Sequence, residues 1–418
     1  MAAATSDQFA AFRHSSYSRY FVARFLSSTG VQVVGSTIGF HLYELTGSEW
    51  LLGLIGLVQF LPAIILVIPA GLASDRVGRR FVMGLSIVLE MLCALAIVGL
   101  AVLTDFNPTV VLGTLFVFGI ARAFYAPAAT SLAVNLVPTE DFANAVGWNT
   151  AAWQLSHIIG PALGGVLYIV SPSTAYTVAA LMLAGAALLI FSIPRPPQRI
   201  DREPTTFRTL TAGFAYIWRQ KVVLGAISLD LFAVLLGGAV AMLPVYSADI
   251  LEIGAVGNGV LRASPAVGAV VMLLWLTRFP VRDHAGVILF VSVGLFGLAT
   301  AVFGVSTLPW LSVLALVLVG ALDMVSVYIR QIILQLWTPD SVRGRVNAVN
   351  GIFLGASNEL GEFRAGAMAA YYGAVFTVTA GGFAAMGVSA LFAALFPGLR
   401  RIRYLDAAPE EVAQDDVR

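Results

Sequence analysis

The sequence predicts an all-α integral membrane protein in which twelve transmembrane helices form two six-helix bundles related by a pseudo-two-fold axis along the membrane normal. Three observations predict it: a charge-poor apolar composition, arginines confined to alternate loops, and a weak internal repeat. Of 418 residues, 59% are hydrophobic and only 11% are charged. Soluble domains are about one quarter charged, so this chain lacks the charge to cover a surface facing water. Twelve helices of about 20 apolar residues would take about 240 positions, which the composition supplies. The same arithmetic excludes a soluble enzyme and a disordered chain, and a net charge of +1 excludes a nucleic-acid binder. A single cysteine, Cys93, excludes a disulfide framework and a thiolate metal site. It lies in an apolar stretch and reads as a small buried hydrophobe.

Residues 1–16 are polar and carry no cleavable signal, so they read as a cytoplasmic N-terminus. Apolar stretches bounded by charges, Pro and Gly place the first six spans at 17–44, 50–73, 81–104, 109–136, 142–170 and 174–193. The second six fall at 222–246, 257–277, 285–305, 309–336, 343–371 and 374–396. The two bundles are thus expected over 17–193 and 222–396, with a cytoplasmic tail over 397–418. Between them, 194–221 is rich in Pro and Arg, and its second half has apolar residues at helical spacing from Phe207 to Arg219. That spacing predicts an amphipathic helix lying at the membrane interface.

The arginines orient the array. Arg13, Arg19, Arg76, Arg79, Arg80, Arg195, Arg199, Arg202, Arg208, Arg219, Lys221, Arg278, Arg282, Arg343, Arg345, Arg400, Arg401 and Arg403 all fall on one side if the spans alternate. The opposite loops, around Gly47, Asp105, Ser171, Glu252, Thr307 and Tyr372, contain no Lys or Arg. By the positive-inside rule both termini are cytoplasmic. The halves also echo each other: Gly119, Arg122 and Pro138 have the spacing of Gly320, Asp323 and Pro339. The triplets Asn144-Ala145-Val146 and Asn347-Ala348-Val349 follow, with a two-residue insertion in the second copy. Parallel repeats of six spans are a transporter architecture with its site at mid-depth between the halves.

Between spans 2 and 3 stands Gly71-Leu-Ala-Ser-Asp75-Arg76-Val-Gly78-Arg79-Arg80. Gly71 would permit close helix approach and Gly78 a tight turn. This stretch resembles the loop signature of the major facilitator superfamily. The resemblance implies that Gly71, Asp75, Arg76, Gly78, Arg79 and Arg80 form a conformational latch, with Asp75 meeting the start of span 11. The corresponding loop after span 8, Arg278-Phe-Pro-Val-Arg282-Asp283, is degenerate. Span 5 carries Gly147, Ser156, Gly160, Pro161, Gly164 and Gly165, similar to the superfamily's exporter-associated signature. Small residues let a partner helix pack closely, and Pro161 is expected to bend the helix. Three further stretches, Tyr20-Phe-Val-Ala-Arg24-Phe-Leu-Ser-Ser, Arg122-Ala-Phe-Tyr-Ala-Pro-Ala and Gly355-Ala-Ser-Asn-Glu-Leu-Gly-Glu-Phe-Arg-Ala-Gly366, resemble the enterobactin-exporter and multidrug-efflux branch. The resemblance covers residues 13–396 and implies proton-driven efflux from a bacterial-type inner or plasma membrane.

An ionisable group at mid-bilayer is costly, so each needs a reason. Arg24, Glu90, Arg122, Asp230, Arg262, Asp323, Arg330, Glu359, Glu362 and Arg364 all fall within spans. Arg122 and Asp323 hold equivalent repeat positions and are read as facing a shared cavity. The resemblance puts Arg122 at a position tied to proton coupling. Arg330, two turns beyond Asp323, is expected to orient or neutralise that carboxylate. Glu359 and Glu362 share a face of span 11; they serve as a titrating pair or as partners of arginines such as Arg364. Asp230 completes the proton-coupling candidates. Glu90 is assigned a pairing role with Arg24 or a loop arginine, on a span lying away from the cavity. Tyr125, Trp153, His157, Phe232 and Tyr328 are the substrate-cavity candidates, and Phe60 and Trp148 also fall on helices expected to line the cavity. His14, His41 and His284 are scattered, so no metal site is expected.

Lys221 is the only lysine and is followed by Val222, so the chain has no phosphate-cradling Gly-Lys-Ser/Thr loop. No cofactor or nucleotide is expected, and an ion gradient, of protons, supplies the energy. The reading is a monomeric, bilayer-embedded exporter of a small organic molecule, siderophore or drug-like, working by alternating access. An importer or facilitator of a metabolite is the alternative within transport. A non-transporting membrane sensor is the alternative of another class. A membrane enzyme has no nucleophile–base set or metal cluster to rest on.

Overall fold

The computed structural model describes residues 8–102, 106–195 and 207–405, and within them all side chains except those of Asp75, residues 207–212, Asp340 and Ser341. Among the described residues every regular element is helical. The first half comprises α1 (Ser15–Thr46), α2 (Glu49–Ile65), α3 (Val67–Val77), α4 (Arg79–Val102), α5 (Pro108–Val134), α6 (Phe142–Val170) and α7 (Pro172–Ser192). The second comprises α8 (Phe207–Arg219), α9 (Lys221–Gly237), α10 (Leu243–Val245), α11 (Gly254–Arg278), α12 (Ala285–Val305), α13 (Pro309–Leu336), α14 (Asp340–Tyr372), α15 (Ala374–Leu395) and the short α16 (Pro397–Arg400). The loop around Asp105, the linker arginines Arg199 and Arg202, and the tail beyond Leu405 lie outside the described residues.

Local chemistry sets the helix ends. Pro108, Pro172 and Pro309 occupy first-turn positions, where a missing N–H costs nothing. Asn107 and Ser171 cap their helices by accepting from the Thr109 and Thr174 N–H groups at 2.9 and 3.1 Å. Two expected continuous spans are broken. Span 2 bends by 58° between α2 and α3. Pro69 cannot donate to the carbonyl of Ile65, four residues earlier, so the ladder stops there. Span 7 leaves α-helical geometry after Gly237-Gly238 and finishes as a 3-10 turn, α10 and a π turn over Tyr246–Ile250. Pro161 lies inside an uninterrupted α6.

Among the described residues nine helices are long and apolar enough to cross a bilayer, ten with the bent pair α2–α3. Helices α1 and α14, at 32 and 33 residues, have the length but are more polar. In α1 the polar groups are spent on neighbours. Tyr17 donates to the Ala145 carbonyl and Tyr20 to that of Ala129, both at 2.9 Å, while Thr29 donates to Ser156 at 3.2 Å. Interhelical bonds of this kind contribute about 0.6 kcal/mol each. The outward surface is apolar: Leu181, Leu188 and Leu274 are 66%, 74% and 65% exposed, as lipid-facing side chains would be.

The described residues group into two units, one from Met1–His41 and Leu61–Thr205, the other from Leu42–Phe60 and Thr206–Arg418. The end of α1 and most of α2 therefore belong with the second unit, across the boundary expected from the repeat. The reason is a tight helix crossing. A Cβ on Gly53 would come within 2.9 Å of the Phe363 carbonyl, and one on Gly56 within 3.1 Å of the Glu359 carbonyl. Tyr43 adds a hydrogen bond to the Asp249 carboxylate at 2.5 Å.

The described part of the N-terminal segment is docked on the first unit. Its 3-10 turn, Ala10–Arg13, rests on the start of α6. There Asn144 accepts from the Ala11 N–H at 3.2 Å and donates to the Gln8 carbonyl at 2.8 Å. Phe9 stacks on Trp148 with centroids 5.4 Å apart, and His14 pairs with Asp141 at 2.8 Å. Trp148 therefore serves this cluster. In the second unit α8 lies on α14, where a Cβ on Gly213 would come within 2.8 Å of the Arg345 carbonyl, and Trp218 is left 77% exposed.

Candidate functional site

The first unit holds a cavity of about 210 Å³ whose wall includes Arg24, Glu90, Arg122, Tyr125, Trp153 and His157. Four helices contribute: α1, α4, α5 and α6. Arg24 is aimed by a hydrogen bond from its Nη1 to the Tyr20 hydroxyl at 2.8 Å, and Tyr20 is itself fixed to α5. His157 bonds through Nδ1 to the Trp153 carbonyl one turn earlier at 2.9 Å, and the two rings lie 4.0 Å apart. Arg24 and Trp153 also border an adjoining cavity of about 410 Å³ with Asn149 and Phe142. Together these surfaces offer two cations, one carboxylate and aromatic faces.

Glu90 differs from its expected role. It is 1% exposed, on the inner face of α4, with Arg122 as its charged neighbour and Ser27 in hydrogen-bonding reach of its carboxyl group. Its Oε2 has no hydrogen-bond partner. Span 3 thus reaches the cavity instead of lying away from it. A signal existed in the sequence: Ser86, Glu90, Cys93 and Ala94 recur at helical spacing and form a small or polar stripe, which marks a protein-facing side. Arg122, which is exposed, and Tyr125 line this first-unit cavity together with Glu90, which the sequence had assigned elsewhere.

The α6 residues explain how α1 is held. Ser156 accepts from Thr29 and donates to the Ala152 carbonyl at 2.8 Å. A side chain at Gly160 would collide with Gln32, and one at Gly164 with Ser36 and Thr37. Pro161 and Gly165 are buried on the same helix. Gly147 departs from this pattern, because open space surrounds the position a Cβ would take.

In the loop after α3, Gly78 has φ +113°, a conformation that favours glycine, and it starts α4 directly. Arg79 is buried and donates to the Ser131 carbonyl and Asn135 Oδ1, both at 3.2 Å. Arg80 donates to the Phe191 carbonyl at 2.8 Å, and Arg76 is exposed. Among the described residues nothing lies within 4 Å of the position a Cβ on Gly71 would take. The side chain of Asp75, the centre of the expected latch, lies outside the described residues.

The second unit arranges its charges differently. Arg330 on α13 forms an ion pair with Asp230 on α9, and the two residues are 1% and 6% exposed. Asp323 lies within electrostatic reach of both. Arg330 therefore binds Asp230 directly, where the sequence had aimed it at Asp323. Glu359 and Glu362 lie on the face of α14 that meets Gly56. Arg364 turns to the Leu235 carbonyl at 2.9 Å and the Met368 sulfur at 3.2 Å. Two aromatic candidates are used in packing: Phe232 sits 5.9 Å from the Phe392 ring, and Tyr328 packs on the apolar core around Leu229 and Ile329. Among the described residues no group of three or more His, Cys, Asp or Glu could hold a metal ion.

Comparison with known proteins converges on one family. Residues 20–328 match the family model described as Major Facilitator Superfamily. The enterobactin exporter EntS of Shigella boydii serotype 4 (strain Sb227) is 25% identical over 408 residues, 96% of each chain. EntS of Escherichia coli O1:K1 / APEC matches at the same identity and coverage. Among solved structures, a POT family transporter in complex with 5-aminolevulinic acid superposes with TM-score 0.72 at 12% identity, covering 92% of this chain and 96% of that one. A D-xylose–proton symporter gives TM-score 0.68 at 14% identity, covering 91% and 97%. At such identities the structures speak for the fold alone.

Proposed function

The chain belongs to the major facilitator superfamily and is a multi-pass membrane transporter, and from that premise we propose that it is a proton-coupled exporter of a small organic molecule. The observation that carries the reading is Glu90, a buried carboxylate on a cavity wall it shares with Arg24 and Arg122. A carboxylate near the guanidinium of Arg122 can exist in two states. In one it is ionised and accepts a hydrogen bond from the cargo, such as a catechol hydroxyl. In the other it holds a proton and no longer accepts. Proton and cargo then compete for one carboxylate, as exchange transport requires. Trp153, His157 and Tyr125 supply flat faces for an aromatic ligand.

Export, and a siderophore or drug-like cargo, rest on likeness to relatives whose name is enterobactin exporter over 96% of the chain. The arginine asymmetry of the loops supports cytoplasmic termini. No cofactor is needed, because rocking two bundles about a central site couples an ion gradient to movement. The single chain supplies both halves.

The test uses inverted membrane vesicles holding the full chain and an imposed pH gradient, acid inside, with a catecholate siderophore and a panel of drug-like anions as cargo. Gradient-driven accumulation is expected in the wild type. Glu90→Gln is expected to lose accumulation at least about tenfold while keeping cargo exchange without a gradient, since one pKa-scale interaction corresponds to that factor. Equal accumulation by Glu90→Gln overturns the coupling role. Cargo moving in the opposite sense identifies an importer.

A further inference from the structure

Next to the α3–α4 turn the first unit has a second cavity, of about 520 Å³, lined by Arg76, Gly78, Arg79, Arg80, Asn135 and Arg195 with Val77 and Phe81 at its side. It draws on the ends of four helices, α3, α4, α5 and α7, all on the arginine-bearing side of the membrane. Among the described residues no carboxylate lines it. Arg80 is held by a neutral acceptor, the Phe191 carbonyl, which fixes the guanidinium without cancelling its charge. Arg76 and Arg195 are exposed. The first ladder bond of α4 runs from Val82 N–H to the Gly78 carbonyl, so the opening turn of α4 lies at this wall. The positive end of a 24-residue helix thus adds to the arginine charges on the same wall.

An apolar surface adjoins this basic wall. Val77 and Phe81 are 59% and 52% exposed, and Leu85, one turn further along α4, is 53% exposed. A phosphate in the cavity would therefore have lipid-facing carbon directly beside it. We infer that this cavity is a binding site for the phosphate of an anionic glycerophospholipid from the cytoplasmic leaflet, with the acyl chains lying along Phe81 and Leu85. Free phosphate shares the anionic chemistry but has no use for the apolar margin. Basic pockets at the cytoplasmic ends of membrane helices hold such headgroups by the same combination of charge and hydrocarbon contact. The occupied site would tie α3, α4 and α7 together at the turn and favour the arrangement in which Arg76 and Arg195 face one anion. It is independent of the cargo site and of the direction of transport.

The full chain, purified and delipidated in detergent, is titrated with dioleoylphosphatidylglycerol and, separately, dioleoylphosphatidylcholine, and read by native mass spectrometry. The wild type is expected to retain phosphatidylglycerol in preference. Replacing both exposed arginines (Arg76→Gln with Arg195→Gln) is expected to weaken retention by about fivefold for each charge, about twenty-five-fold together. Arg278→Gln with Arg282→Gln removes the same charge from another loop and is expected to change retention by no more than about twofold. Equal losses in the two double variants, or no loss in the first, overturn the site. Glycerol 3-phosphate binding as tightly as the lipid overturns the lipid as its occupant.

Discussion

In the first unit Arg122 stands exposed on a cavity whose wall carries Glu90, whereas in the second Arg330 and Asp230 close on each other and are almost fully buried. Both arrangements put opposite charges inside a membrane protein, and they do different work. A sealed pair has already exchanged water for its partner, and removing one member strands the other. An accessible pair can trade its partner for a ligand or a proton. The repeat makes the contrast sharper, because Arg122 and Asp323 occupy equivalent positions in the two halves, yet one faces an open cavity and the other joins a buried cluster.

The largest effect should come from opening the sealed pair. Arg330→Met leaves Asp230 and Asp323 without their cation and is expected to cost about 3–5 kcal/mol, read as a fall in thermal midpoint in detergent. Arg122→Met should cost less than Arg330→Met, because it strands one buried carboxylate, Glu90, and its own charge is already exposed at the cavity. Similar losses in the two variants would break the comparison. Next in size, Gly160→Val forces a side chain into Gln32 of α1, and overpacking of this kind costs about 1–3 kcal/mol. Gly147→Val, on the same helix but facing open space, serves as its neutral counterpart in the same melt. The smallest effect is that of Ser156→Ala, which loses the bond from Thr29 and about 0.6 kcal/mol. A drop of several kcal/mol there would mean that α1 is held by its polar bonds more than by close packing.

Much of this architecture was legible in the residues. Helices α12 and α13 begin and end where the sequence put them, because charge, Pro and Gly stop an apolar run at once. The bend at Leu66 and the break at Gly237-Gly238 were missed although Pro69 and the paired glycines were in view, since hydropathy passes smoothly over both. The cavity was half legible. Arg122, Tyr125, Trp153 and His157 were named, but Glu90 was assigned elsewhere because a single span shows which side faces protein and not which neighbour it meets. The same limit hid the placement of Leu42–Phe60 in the second unit, the pairing of Arg330 with Asp230, and the use of Phe232 and Tyr328 in packing.

The one thiol of the chain, Cys93, is 5% exposed within α4. Maleimide reagents added from either bulk phase should pass it by. Single reporter cysteines can then be introduced at Gly47, Arg76 or Tyr372 on the native background, with no prior cysteine-less version to build. Spin labels and fluorophores placed this way would follow the motion of the protein during turnover without an altered interior.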